Sequence, residues 1–388
     1  MSLPEPLPAL DPAELASVPL ARSETIPASW YVDPAFHALD REAVFAHSWQ
    51  GIGHEGQVAE AGMYFTGTVA DSPVIVLRDK EGVLRAFYNV CRHRGGPLAT
   101  EAAGRCKALT CKYHGWTYLL DGTLRGVPRW DRVELFTKED YGLVPIRVEV
   151  WEGLVFVNLD PQAAPLTTFM AGITERIAPI RLGAKRFARE VVYEVACNWK
   201  VYVDNYLEGY HIPYVHPELM KLLDFPQYLT ETFPWYSLQE SPLAEGDTVY
   251  SRSEGRTAYY YHIYPNFMLN ILPGRLQTNL VQPLGPERCR VVFQYFYDDL
   301  PADQAERMVT EDVTFADAVQ AEDIDICEHV QRGLASRAYH KGRFSVECEE
   351  AVYHFQQLLK RAYAEQQARG GAPSRQFPTI APLEGRPA

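Results

Sequence analysis

Two short pairs of residues have the types and spacing of a metal centre: Cys91-x-His93 and, seventeen residues later, Cys111-x-x-His114. A [2Fe–2S] cluster with two thiolates on one iron and two neutral imidazoles on the other needs this donor set. Two loops, each offering one sulfur and one nitrogen, meet that need by facing each other across the cluster. Gly95-Gly96-Pro97 and Gly115-Trp116 flank the pairs, and small residues let backbone amides approach the cluster sulfurs. Zinc also accepts mixed ligation, but its short motifs usually pair Cys with Cys and His with His. The mixed loops favour iron and sulfur, hence a redox protein.

A second constellation lies in NWKVYVDNYLEGYHIPYVH, residues 198–216. The pattern predicts a helix over 198–211, which puts Asp204, Glu208 and His211 (i, i+4, i+7) on one face. Pro213 is expected to bend or stop it and so fold His216 back beside His211. Two imidazoles and one carboxylate with open positions form the facial arrangement of O₂-activating non-haem Fe(II). Ionisable clusters also populate solvated faces, but a redox cluster in the same chain favours the metal. Helix 314–334 offers the carboxylate from Asp317, Glu322, Asp323, Asp325 or Glu328. Its expected apolar stripe of Phe315, Val319, Ile326, Val330 and Leu334 contains Asp323, with Glu322 at the edge. A buried acid needs a strong partner, and a metal, an Arg or a Tyr serves equally.

Short β runs broken by glycine must position the first pairs: MYFTGTV, SPVIVLRD, VLRAFYNV, GWTYLL and EVWEGLVFVNLD, with Asp121-Gly122 as a hairpin turn. They predict a small antiparallel β domain over 47–160. Before it, residues 1–46 read as an arm plus a short helix that Asp33 caps and Pro34 starts. After it, 161–388 reads as one domain. A short helix over 167–178 and strands near 189–197, 233–251, 257–271 and 276–297 precede long helices at 302–334 and 345–367. The tail after them reads as extended. The fold class is α+β.

The 388 residues are 47% hydrophobic and 22% charged, with a net charge of −13. That composition is globular, and the acidity argues against a nucleic-acid surface. No apolar run reaches membrane-spanning length, and the proline-rich N-terminus has no basic n-region of a signal peptide. Seven cysteines, an odd number without a pairing pattern, suit a reducing, cytoplasmic setting. No glycine-rich dinucleotide fingerprint or P-loop follows a strand, so NAD or FAD binding by this chain is not expected.

Over nearly its whole length the chain resembles the α subunits of Rieske non-haem iron oxygenases. Its C-terminal half looks most like choline monooxygenases and related quaternary-ammonium oxygenases. DNYLEGYHIPYVHPEL, YPNFMLNILPGRLQTNLVQPLGPERCRVVFQYF and QAEDIDICEHVQRGLASRAYHKGRFS carry the likeness. The resemblance implies a Rieske domain beside a helix-grip (START-like) catalytic domain, with Fe(II) on His211, His216 and Asp323. It also implies a head-to-tail homotrimer, fed by a separate NAD(P)H-dependent reductase or ferredoxin. Electrons would pass from one subunit's cluster to its neighbour's iron through a carboxylate, for which Glu208 is the match and Asp204 the fallback. Many family members have Asp at the position of Glu208.

The implied reaction is O₂-dependent hydroxylation, or oxidative N-demethylation, of a small quaternary ammonium compound such as choline, glycine betaine or carnitine. Aromatic-ring dioxygenation, with the same metals and an apolar pocket, is the alternative. Trp235, Tyr236, Tyr259, Tyr260, Tyr261, Tyr264 and Phe267 could cage a permanent cation, which ring faces hold without hydrogen bonds. Strand alternation would point only half of them inward.

Overall fold

The computed structural model describes residues 7–244, 257–301 and 303–370. Contacts divide them into two compact units, Phe45–Leu166 and the residues on either side of it. The residues up to Val44, expected as a separate arm, thus belong to the larger unit. Trp30 packs at 4.9 Å on Tyr363, and the Tyr31 carbonyl accepts from Asn198 Nδ2 at 2.9 Å. The smaller unit also runs past the expected boundary at residue 160. Trp49 Nε1 donates to the Ala164 carbonyl at 3.0 Å, and the Leu166 amide donates to Glu149 at 2.9 Å.

In the smaller unit, a seven-stranded antiparallel sheet runs Gln50–His54, Leu154–Asn158, Pro145–Trp151, Leu84–Tyr88, Ser72–Arg78, Met63–Val69, Ala103–Arg105. EVWEGLVFVNLD is two strands, because Glu152 and Gly153 both have positive φ (49° and 77°). That is the two-residue hairpin geometry whose twist matches the strands, and Trp151 pairs directly with Leu154. A small second sheet, Leu109–Thr110, Thr117–Tyr118 and Leu124–Gly126, carries the second ligand loop. Trp116 and Tyr118 are buried in its core with Cys91 and Cys111.

The larger unit holds another seven-stranded antiparallel sheet: Arg186–Val195, Arg288–Tyr297, Arg275–Gly285, Phe267–Leu272, Thr257–Ile263, Tyr236–Pro242, Leu229–Thr232. The expected strand 257–271 is two strands, turning at Tyr264-Pro265-Asn266. The expected strand 233–251 is seen as Tyr236–Pro242; its residues from 245 on, and the tail from 371, lie outside the described residues. Long helices Ala305–Leu334 and Glu350–Ala368 pack against this unit's elements.

Helix Ala305–Leu334 buries a different stripe from the one expected: Val309, Asp312, Val313, Ala316, Gln320, Cys327 and Gln331. Hydropathy misplaces it because three polar members have dedicated partners. Asp312 meets Arg275, Gln320 accepts from Tyr202, and Gln331 accepts from the Asn198 amide. Val330 is left 45% exposed. Asp323 still falls on the inward side, between Gln320 and Cys327, one helical turn from each.

Candidate metal centres

The two ligand loops of the smaller unit share one backbone design. The Cys91 amide donates to the Gly96 carbonyl (2.7 Å) and the Gly95 amide to the Cys91 carbonyl (3.0 Å). Cys111 repeats both bonds, with Trp116 (2.8 Å) and Gly115 (2.9 Å). Gly95 and Gly115 have φ of 72° and 75°, a conformation that costs other residues about 1 kcal/mol or more. A Cβ on Gly96 would sit 2.9 Å from Cys111 Sγ, so close backbone approach to that sulfur needs glycine.

Both thiols are 2% exposed, and Tyr118 Oη lies 3.4 Å from Cys91 Sγ. The His93 and His114 rings lie 4.7 Å apart, with His93 stacked on Trp116. Arg94 occupies His114 Nε2 at 2.8 Å, leaving Nδ1 to a metal. Burial, with help from His114 and Arg94, holds the His93 imidazole below its ordinary value and hence neutral, as a ligand requires. Among the described residues, only His211, His216 and Asp323 form a group of three or more donors with all atoms within 4.8 Å. The Cys/His quartet is therefore spread too widely for one zinc ion, and its sulfur pair and imidazole pair fit a two-iron cluster.

In the larger unit, Asn198 caps helix Trp199–Tyr206 by accepting from the Lys200 amide at 3.0 Å, a contact worth about 1 kcal/mol. The helix stops at Tyr206, not near His211, so Asp204 and Glu208 share no helical face. Pro213 starts the short helix Ile212–Val215 instead of ending a long one, and Pro217 starts Pro217–Leu222. Proline has no N–H to satisfy in a first turn. His216, at the junction, comes back to His211 with Nε2 atoms 3.1 Å apart.

Asp323 Oδ1 lies 3.0 Å from His216 Nε2 and 3.7 Å from His211 Nε2. Donors about 2.1 Å from a metal and at right angles are about 3 Å apart, so the trio fits a facial site. Each imidazole is oriented from behind: Glu208 lies 2.7 Å from His211 Nδ1 and Glu322 2.7 Å from His216 Nδ1. With Nδ1 of each ring engaged, both rings turn Nε2 toward Asp323. Asn205 Nδ2 donates to the same Asp323 oxygen at 2.6 Å. Burial works against a charge on His216, yet Asp323 and Glu322 together hold its pKa above the ordinary value. A donor set this acidic is arranged for a cation.

The predicted trio is thus together, and Glu208 is hydrogen-bonded to it. Asp204 is not. It is half-buried, held by Tyr31 Oη (2.5 Å) and Gln356 Nε2 (3.3 Å), and desolvation pushes its carboxyl up to about 7.

The metal ligands open on a cavity of ≈ 120 Å³ lined in part by Tyr206, Tyr228, Tyr260, Glu208, Arg275 and Phe293. Of the seven rings expected as a cage, Tyr260 lines it, whereas Trp235, Tyr236, Tyr259, Tyr261, Tyr264 and Phe267 do not. Alternation explains the correction. Gln239, Tyr260, Asn270 and Gln277 are direct cross-strand partners on one sheet face, so Tyr259 and Tyr261 point to the other. Tyr236 packs on Phe233 and Tyr261 there, and Phe267 pairs with Leu280. Trp235 lies under Arg361, and Tyr264 packs on Phe355. The sequence reading also missed Asn205, Tyr206 and Tyr228, whose only signal was nearness to the 208–216 motif.

Two family models match: Rieske [2Fe-2S] domain over residues 48–137, and ring hydroxylating alpha subunit (catalytic domain) over 183–365. The chain is 40% identical to the chloroplastic choline monooxygenase of Arabidopsis thaliana, over 88% of this chain and 83% of that protein. It is 30% identical to the carnitine monooxygenase oxygenase subunit of Escherichia coli (strain K12), over 88% and 94%. The solved structure of the quaternary ammonium Rieske monooxygenase CntA with L-carnitine matches with a TM-score of 0.77 and 30% identity, over 89% of this chain and 97% of that one. Another structure of a quaternary ammonium Rieske monooxygenase, described with inter-subunit electron transfer, matches at 0.81 and 29%, over 93% and 100%. Naphthalene 1,2-dioxygenase, at 20% identity and 0.73, shares the fold. With a Rieske [2Fe–2S] domain followed by a catalytic domain for mononuclear iron, this chain belongs to the Rieske non-haem iron oxygenase α subunits, oxidoreductases that depend on a reductase for electrons.

Proposed function

We propose that the chain is the terminal oxygenase of a monooxygenase acting on a small quaternary ammonium compound of the choline, glycine betaine or carnitine kind. The observation that carries this is the cavity over the iron ligands. Three of its four tyrosines, Tyr206, Tyr228 and Tyr260, line it with two carboxylates, Glu208 and Asp323. Its one arginine, Arg275, is already 2.9 Å from the buried Asp312. Each desolvated ring face contributes about 0.5–2 kcal/mol to holding a permanent cation. The relatives named for choline and carnitine support the same reading.

Cys91, His93, Cys111 and His114 would hold the cluster, and His211, His216 and Asp323 would hold the iron. Once bound, these groups supply the electrons and the O₂ activation for hydroxylation or oxidative N-demethylation. The chain's own residues do the rest. Tyr206, Tyr228 and Tyr260 seat the cation, and burial keeps their hydroxyls protonated, with Tyr260 pushed up to about 12. Tyr206 is fixed by donating to Asn270 Oδ1 at 2.6 Å and Tyr228 by donating to Gln239 Oε1 at 3.0 Å. Asn205 steadies Asp323, and Glu208 orients His211 and would serve as the electron relay once both metals are bound.

The donor is a separate NAD(P)H-dependent reductase or ferredoxin, and the assembly a head-to-tail homotrimer. The exposure of Tyr113 (60%) beside His114, and of Tyr210 (51%) and Tyr214 (82%) around His211, supports covered surfaces at both centres. All seven cysteines are free, which suits the cytoplasm. No helix among the described residues is long and apolar enough to cross a membrane.

The test compares choline, glycine betaine and carnitine with their neutral tert-butyl analogues on metal-loaded protein, reading product formed per O₂ consumed. The cations should couple O₂ uptake to product. Equal coupling with a neutral analogue, or with a plain arene, would sink the assignment.

A further inference from the structure

Four cationic side chains among the described residues are more than nine-tenths buried: Lys185, Lys200, Arg275 and Lys360. Three have a carboxylate to themselves. Lys185 lies 2.8 Å from Asp298, Lys200 lies against Asp40, and Arg275 lies 2.9 Å from Asp312. Lys360 is the exception. It is 8% exposed, yet among the described residues no carboxylate lies within 4.0 Å of its ammonium group and nothing hydrogen-bonds it. Its stem is buried, and its ammonium group reaches an open pocket in which Glu14 acts on it only from beyond ion-pair distance.

Lys360, on helix Glu350–Ala368, lines an open pocket of ≈ 230 Å³ together with residues of the N-terminal segment 13–25 and with Lys341 and Arg343. The other charged groups there are Glu14, Arg22, Glu24, Lys341 and Arg343. Both acids are engaged. Glu14 accepts twice from Lys341, at 2.6 Å each, and Glu24 lies 3.5 Å from Arg343 and 3.8 Å from Lys341. Four cations against two acids leave an excess of two positive charges, in a chain whose net charge is −13. No residue of this cavity lines the one at the iron ligands.

We propose that this second cavity is a binding site for a small oxyanion of the phosphate class, with Lys360 as its central ligand and Arg22 closing it from the N-terminal segment. The cations reach the cavity from three separate parts of the chain. A tetrahedral anion presents acceptors in all those directions, whereas a carboxylate presents them in one plane. Glu14 and Glu24 keep Lys341 and Arg343 in place and limit the charge a bound anion must meet. The anion would tie the N-terminal segment to helix Glu350–Ala368. Because the site exists only in the folded chain, binding stabilises the native state by mass action.

The test uses the full chain with both metals loaded, at constant ionic strength. Inorganic phosphate replaces chloride while thermal unfolding and calorimetry are followed. The midpoint of unfolding should rise with the logarithm of phosphate concentration, and Lys360→Met should weaken phosphate binding at least about tenfold. Arg22→Gln, on the exposed side, should weaken it less and serves as the second variant if Lys360→Met does not fold. Sulfate should follow phosphate, and malonate should not. No response of the wild type to millimolar phosphate, or an equal response in wild type and variants, would overturn the site. Malonate binding as tightly as phosphate would overturn its ligand class.

Discussion

The proposed cluster site draws all its ligands from one stretch, residues 91–114, on two loops with the same backbone hydrogen bonds. The proposed mononuclear iron site draws on His211, His216 and Asp323, and 107 positions separate the last two. In the first, local backbone geometry places the donors, and the glycines at 95 and 115 do most of the specifying. In the second, tertiary packing does it: a helix must deliver Asp323 to a turn built around Pro213 and Pro217. Local sites tolerate change elsewhere in the chain. Distributed sites depend on the core that joins their parts.

The largest effects should show that the two centres are separable. His211→Ala should bring product formation to background and remove the mononuclear iron, while the visible spectrum of the cluster persists. Cys111→Ala should do the reverse, bleaching the protein while iron still binds the larger unit. Metal analysis and absorbance on the same preparations check both. Loss of both metals in either variant would show that the centres fold as one.

Glu208→Gln should act next most strongly. The amide can still meet His211 Nδ1, so iron content should hold, but removing the charge behind the ligand should lower turnover about 10–100-fold. Single-turnover rates on the pre-reduced protein measure this. A rate near wild type would remove Glu208 from the relay.

The third effect is smaller and concerns the cavity. Tyr260→Leu should weaken binding of the ammonium substrate by about 0.5–2 kcal/mol, roughly 2–30-fold in Kd, whereas Tyr260→Phe keeps the ring face and should change it little. Substrate titration of the iron-loaded protein separates the two. Equal losses would mean that the hydroxyl, and not the ring, makes the contact.

This contrast also sets what the sequence could disclose. The Cys/His quartet was legible because its ligands and its positive-φ glycines are neighbours in the chain. The second centre was legible in its residue types and in the inward side of helix Ala305–Leu334, but not in the path that assembles it. The expected helix through 198–211 ends at Tyr206, and the chain runs on through Glu208 into a turn closed by the Ile212 amide on the Gly209 carbonyl. The cage was misread because an aromatic run says that rings are present, not which face the sheet turns inward. Only the pairing of Tyr260 with Gln239 and Asn270 settles that. Helix Ala305–Leu334 misled a hydropathy reading because Asp312, Gln320 and Gln331 are buried with partners far away in sequence.

The smallest expected effect on turnover, and the sharpest test of the two acids in the 198–216 motif, is Asp204→Asn. Asp204 is held by Tyr31 and Gln356, and burial pushes its carboxyl up to about 7. In the unfolded chain an Asp titrates near 3.9. Between those values the native state holds a proton that the unfolded state has lost. The contribution of Asp204 to stability is therefore complete below about pH 3.9 and is lost as pH rises toward about 7. The slope is at most about 1.4 kcal/mol per pH unit. An amide cannot ionise and keeps one acceptor for Tyr31. Asp204→Asn should thus flatten the pH dependence of the unfolding midpoint between about pH 4 and 7, and raise the midpoint relative to wild type above pH 7. Turnover should stay within about twofold, because Asp204 lines neither the cavity nor the metal ligands. Thermal unfolding across pH, beside single-turnover rates, gives both readings. If the variant instead slows as much as Glu208→Gln while its pH slope is unchanged, the electron relay belongs to Asp204.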